Sequence, residues 1–123
     1  AVAHGIDAII IGNTTISRPP LRSAGAAEGG GLSGAPLRDL AFAKLKDFRS
    51  ATGGQMPLIA AGGISNAADV WARLRAGASL VQLYSALVYE GPWLAKRIVE
   101  ELTMMMKDAG LTALADLIDA DNR

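Results

Sequence analysis

The chain contains no cysteine, which excludes disulfides, thiolate metal sites and a cysteine nucleophile within this stretch. Charge of one sign is also lacking, since 12 basic side chains balance 12 acidic ones. A nucleic-acid surface is therefore not expected. Apolar residues never run uninterrupted for the roughly 18 positions of a membrane-spanning helix, and no signal peptide is visible. Membrane attachment, if the protein has one, is expected outside this stretch. The single histidine, His4, has no partner at metal-ligand or triad spacing and is expected near a helix end. No internal repeat stands out beyond a strand-and-helix rhythm, and no low-complexity tail is present.

What the chain does have is a half share of hydrophobic residues punctuated by 14 glycines, the composition of an α/β domain. Three short apolar runs read as buried parallel strands: Ile6 to Ile11, Met56 to Ala61 and Ser79 to Leu83. Helices separate them. Leu37, Leu40, Ala41, Leu45 and Phe48 recur at helical spacing before Gly53-Gly54, which predicts a helix over 37–51. A second is expected from an Asn66 cap, with Asp69 in its first turn and Val70, Trp71 and Leu74 buried, ending at Gly77. A third should start with Pro92 in first position, carry Leu94, Ile98, Leu102, Met105 and Ala109 on one stripe, and stop at Gly110. Met104, Met105 and Met106 then belong to a covering helix rather than to a cofactor site. A small terminal helix follows, with Thr112 as its cap. Between Ile16 and Pro36 lies a Pro- and Gly-rich stretch without periodicity, of the length that marks a functional lid or a disordered segment. Its charges Arg18, Arg22 and Glu28 could gate a ligand, although an exposed loop charge is more often merely solvated.

Two segments have the makings of a phosphate cradle: Ala60-Ala61-Gly62-Gly63-Ile64 and Leu83-Tyr84-Ser85-Ala86. Glycine after a strand lets backbone approach a ligand closely, and the second segment leads from a strand directly into a short helix. Backbone N–H groups at Gly63, Tyr84 and Ser85 could hold phosphate without a cationic side chain. Read singly, each has another reading: a Gly-Gly after a strand is commonly a tight turn, and Tyr84 could be core packing. In α/β barrels, phosphate usually sits at the loops after the seventh and eighth strands. A closed barrel of that type needs about 250 residues, and this chain has 123. Its opening, Ala1-Val2-Ala3-His4-Gly5, reads as the tail of a helix capped by Gly5, with no initiator Met. The fold expected is α/β, the C-terminal part of a TIM-type barrel comprising about three βα units, with 1–123 belonging to one domain of a longer protein.

Taken together, Gly12-Asn13-Thr14-Thr15, Gly30-Gly31-Leu32-Ser33-Gly34-Ala35-Pro36-Leu37, Gly62-Gly63-Ile64 and the run from Gly77 to Pro92 resemble the class 2 (quinone-linked) dihydroorotate dehydrogenases. The resemblance runs essentially end to end, and the stretch from Tyr84 to Pro92 resembles the membrane-linked class rather than the soluble one. It implies the final strands of an FMN-binding barrel. The family oxidises dihydroorotate to orotate, passing a hydride to FMN while a serine base removes a proton, and ubiquinone accepts the electrons. By the same resemblance Asn13 and Thr14 bind the orotate ring and carboxylate, and Gly34, Gly62, Gly63, Tyr84 and Ser85 hold FMN. An amide suits a flat imide because it offers both donor and acceptor, whereas the alternative for Asn13 and Thr14 is a turn bonded to local backbone. Gly12 falls where the family often places a hydroxyl residue near the flavin, so only backbone contact could remain there. The family's serine base, its flavin-contacting lysine and its quinone-binding helices precede the region matched. None of Ser17, Ser23, Ser33, Ser50, Ser65, Ser79 or Ser85 sits in the base's motif, so no catalytic residue is assigned. The resemblance implies a peripheral protein on the cytoplasmic face of the bacterial inner membrane, of which this stretch alone would be soluble and inactive.

Two other readings remain open: a different phosphate-binding α/β-barrel enzyme, which would not need Asn13-Thr14 or the Gly-Leu-Ser-Gly loop, and an inactive half-barrel scaffold. Three parallel strands leave two open edges and an uncovered inner face. Ile9, Ile11, Leu58, Ile59, Val81 and Leu83 are apolar enough that exposing several is untenable. Association with the missing half, or with copies of the chain, is therefore expected.

Overall fold

A computed structural model describes residues 2–21 and 24–123. Arg22 and Ser23, weighed above, lie outside the described residues. Three strands, β1 (Ile9–Ile11), β2 (Leu58–Ala61) and β3 (Leu80–Gln82), form one parallel sheet in the order β1-β2-β3. Parallel neighbours need a long crossover, and helices α1 (Arg38–Thr52) and α2 (Ala67–Arg75) serve the two crossovers. Helices α3 (Ser85–Glu90), α4 (Leu94–Asp108) and α5 (Leu114–Leu117) follow β3.

The strands are shorter than their apolar runs. Pairing starts only where partners align, at Ile9↔Leu58 and Ile59↔Leu80. Met56 is buried ahead of β2, and Pro57 cannot donate to a ladder, although its carbonyl accepts from Ile9 at 3.1 Å. Side-chain alternation then sorts the faces. Ile11, Leu58 and Ala60 are buried in a cluster with Leu45, Ala76 and Ala78, against which Ile9, Phe42 and Val81 also pack. Their neighbours Ile10, Ile59 and Leu80 lie in one row across the sheet on the other face. Ile10 is 54% and Leu80 60% exposed, while Ile59 is half-buried. The set of exposed strand residues expected above is thus corrected. Ile9, Ile11, Leu58 and Val81 are on the covered side, Leu83 is half-buried, and Ile10 and Leu80 are bare.

The helices follow their local signals with a few shifts. Leu37, Ala41 and Leu45 make the buried stripe of α1, whereas Leu40 and Phe48 remain largely exposed at its margins. Gly53 closes α1 at φ +57. In α2 the Asn66 side chain accepts the Asp69 N–H at 2.8 Å as expected, and Val70 and Leu74 are buried, but Trp71 is only half-buried. Helix α4 begins at Leu94, with Pro92 and Trp93 in the preceding turn. Its buried stripe runs from Leu94 and Ile98 to the partly buried Leu102, Met105 and Met106, and Ala109 is exposed past its end. Thr112 does not cap α5, which starts later. The Asp116 carboxylate instead accepts the Ala113 N–H at 3.1 Å.

The C-terminal turn is tied to α1. Asp119, in the left-handed region at φ +64, accepts from Arg49 Nε at 2.7 Å and from Asn122 Nδ2 at 2.7 Å. The bonded Arg49 guanidinium holds the Asp119 carboxyl below the usual carboxylate range. A depressed native pKa stabilises the fold above the unfolded value, about 3.9, and that contribution is lost as pH falls through the native value. Asn tolerates the left-handed region, so Asp119→Asn should remove the pairing without backbone strain. In a full-length protein carrying this chain it should cost about 1 kcal/mol at neutral pH. Thermal melts of both forms should converge below about pH 4, and a gap that is independent of pH would contradict this role.

Candidate functional site

Parallel strands deliver their carboxyl ends to one edge of a sheet, the edge where α/β folds bind ligands. Here the loops leaving β1, β2 and β3 open into a cleft of about 1110 Å³, joined by the return of the long loop. Every residue expected to bind substrate or cofactor lines it: Gly12, Asn13, Thr14, Gly34, Gly62, Gly63, Tyr84 and Ser85. Tyr84 is 82% exposed in this chain.

The glycines prove to be demanded by the protein itself. At Gly12, φ +114, a Cβ would fall inside the Ala61 carbonyl of the neighbouring strand. At Gly62, φ +100, it would meet Leu37 Cδ2 at 2.9 Å. At Gly63, φ +69, it would overlap the Arg38 backbone, 2.5 Å from its nitrogen. The pair therefore makes room for the start of α1. What the β2 loop offers the cleft is its backbone: among the described residues no hydrogen bond takes up the N–H of Gly63 or Ile64. Ser85 and Ala86 add first-turn N–H groups, for which a helix has no carbonyl one turn back.

Asn13 combines both readings considered for it. Its Oδ1 accepts the Thr14 N–H at 2.8 Å, a local turn bond, while among the described residues no bond takes up the amide NH₂. Thr14 packs on Gly31, where any Cβ would collide with the threonine side chain. The long loop is thereby brought back to the site. Its neck is closed by paired bonds between Thr15 and Leu32, at 3.0 and 2.8 Å. Past the neck, Ser33 accepts the Ser85 hydroxyl at 3.0 Å, linking loop to α3. Arg18 is not merely solvated: it donates to the carbonyls of Glu28 and Gly30 at 3.0 and 2.6 Å and staples the loop. His4 ends a 3-10 turn, Val2–His4. Among the described residues no group of three or more His, Asp or Glu side chains could hold a metal.

One cluster escaped sequence reasoning. Arg38 Nε donates to the Gly63 carbonyl at 3.2 Å, its NH2 group donates to Ser65 Oγ at 2.9 Å, and Nε lies 3.1 Å from Asp69 Oδ1. Asp69 in turn accepts from the Ser65 N–H at 2.9 Å and its hydroxyl at 3.1 Å. Arg73, 2% exposed, donates to the Arg38 carbonyl at 2.9 Å and lies 4.6 Å from the centre of the Phe42 ring. Burial lowers its pKa from the arginine norm, yet a guanidinium keeps its charge. Asp69 was read only as a helix-dipole residue. No spacing rule links it to Arg38.

Comparison with known proteins places these loops. A family model described as dihydroorotate dehydrogenase matches residues 1–106, a span holding every residue that lines the cleft. The dihydroorotate dehydrogenase (quinone) of Novosphingobium aromaticivorans is 55% identical over 121 residues, covering 98% of this chain and 35% of that protein. The mitochondrial dihydroorotate dehydrogenase (quinone) of Mus musculus is 45% identical over 120 residues, covering 97% of the chain and 30% of the relative. Ligand-free dihydroorotate dehydrogenase from Eimeria tenella superposes with a TM-score of 0.94 at 41% identity, over 99% of this chain and 34% of that one. The chain thus spans about a third of the length of these relatives. Agreement in sequence and backbone across nearly all of its residues means that the chain belongs to the dihydroorotate dehydrogenase family.

Proposed function

We propose that this chain supplies the FMN-phosphate cradle and part of the orotate site of an enzyme that oxidises dihydroorotate to orotate with a quinone acceptor. The convergence of Asn13, Thr14, the free Gly63 and Ile64 N–H groups and the start of α3 in one cleft carries the reading. The residues fit the group: a phosphate ester needs aligned donors rather than a balancing lysine, and the cleft has room for a ring and its ribityl chain. FMN, when bound, supplies the two-electron acceptor that converting a carbon–carbon single bond to a double bond requires.

The chain's own residues bind and orient. The free Asn13 amide donors can meet imide oxygens, and the Thr14 hydroxyl can donate to a carboxylate. Proton removal falls to a base elsewhere in the whole protein, as does the approach of quinone. In that protein the three strands are the last of a (β/α)8 barrel, and the row Ile10, Ile59 and Leu80 faces its interior. Among the described residues no helix is long and apolar enough to cross a membrane; peripheral attachment to the cytoplasmic face of a bacterial inner membrane would use other segments.

Asn13→Ala in the full-length enzyme tests the reading. Removing amide bonds of about 1 kcal/mol each should lower kcat/KM for dihydroorotate roughly tenfold or more while flavin absorbance is kept. Loss of flavin with unchanged KM would overturn the assignment.

A further inference from the structure

A peptide plane next to glycine turns at little steric cost, because no Cβ resists it. The Gly63-Ile64 peptide is such a plane, and its orientation decides whether the Ile64 N–H or the Gly63 carbonyl is presented to the cleft. In a trans peptide the two are antiparallel. Arg38 takes the carbonyl at 3.2 Å from outside the loop. That commits the Ile64 N–H to the opposite side, where among the described residues nothing accepts it. Arg38 is itself held: Asp69 and Ser65 fix its guanidinium, and the buried Arg73 takes its carbonyl.

We propose that Arg38 is a positioning residue for the cofactor phosphate, acting through the Gly63 carbonyl to keep the Ile64 N–H turned into the cradle. It acts as a hydrogen-bond donor from behind the loop and not as a counter-charge. The inference rests on the cradle reading above, and its test separates the two.

Asparagine would be too short to replace it, but glutamine places its Nε2 the same number of bonds from Cα as arginine places Nε. Arg38→Gln therefore keeps the donor and loses the charge, while Arg38→Met loses both at similar length. Apo-protein of the full-length enzyme is titrated with FMN and with riboflavin, which has the ring system but no phosphate, by flavin fluorescence. Arg38→Met should weaken FMN at least tenfold and riboflavin by less than twofold, and Arg38→Gln should stay within about threefold of wild type for both. Equal loss of FMN in the Gln and Met variants would make charge the operative property and overturn the proposal. So would parallel loss of FMN and riboflavin, which signals general damage to the site, or unchanged FMN affinity in Arg38→Met. If the wild-type protein binds riboflavin as tightly as FMN, the cradle itself is wrong.

Discussion

Gly63→Val is expected to abolish flavin binding in the full-length protein. At φ +69 a β-branched residue is strained, and its Cβ would overlap the Arg38 backbone, with Arg38 N at 2.5 Å and Cβ at 2.8 Å. Backbone cannot swing aside as a flexible side chain can. Either α1 retreats or the β2 loop does, at a cost of several kcal/mol, and the Gly63-Ile64 peptide leaves its place. Ser85→Ala should be far milder, since it removes the hydroxyl bond to Ser33 and leaves the backbone donors intact. Flavin content of the two purified variants checks the contrast. Full occupancy in Gly63→Val would sink it.

The second large effect concerns the chain by itself. With Ile10, Ile59 and Leu80 in one row and, among the described residues, no outer partner for β1 or β3, the 123-residue chain should self-associate at micromolar concentration. Fully burying each such side chain is worth about 1.5–3 kcal/mol, so the row approaches a small domain's whole stability of about 5 kcal/mol. Ile10→Lys with Leu80→Glu should reduce the scattering mass. The isolated chain should also show no dye-linked dihydroorotate oxidation. A compact monomer with protected amides, or turnover by a homogeneous preparation, would contradict these expectations.

Signals that act within one turn of chain were readable beforehand. Asn66 capping α2, Gly53 ending α1 and Gly110 at φ +70 after α4 each answer a local need for a donor partner or a left-handed residue. Pleat phase was not readable: in Ile9-Ile10-Ile11 all three residues are alike, and only packing of β1 beside β2 and α1 shows that the middle one is bare. The residues that line the cleft were legible as a set through the family resemblance, whereas their supports were not. The reason for glycine at position 63 lies in the Arg38 backbone, 25 positions earlier, and the Arg38–Asp69 pairing exists only because α1 and the β2 loop are packed together. Thr112 was a plausible cap by type, but Asp116 took the role because α5 starts one residue after Ala113.

The closed neck of the long loop makes its tip a natural place for the chain to change length. Thr15 and Leu32 clasp the two ends, and Arg18 gathers the carbonyls of Glu28 and Gly30 just inside. Residues inserted beyond that staple lengthen a loop whose ends are already joined, and each doubling of loop length costs only about 0.6 kcal/mol. Ser33 and Gly34 would keep their places, so this excursion can diverge, or accept a tag, without disturbing the cleft.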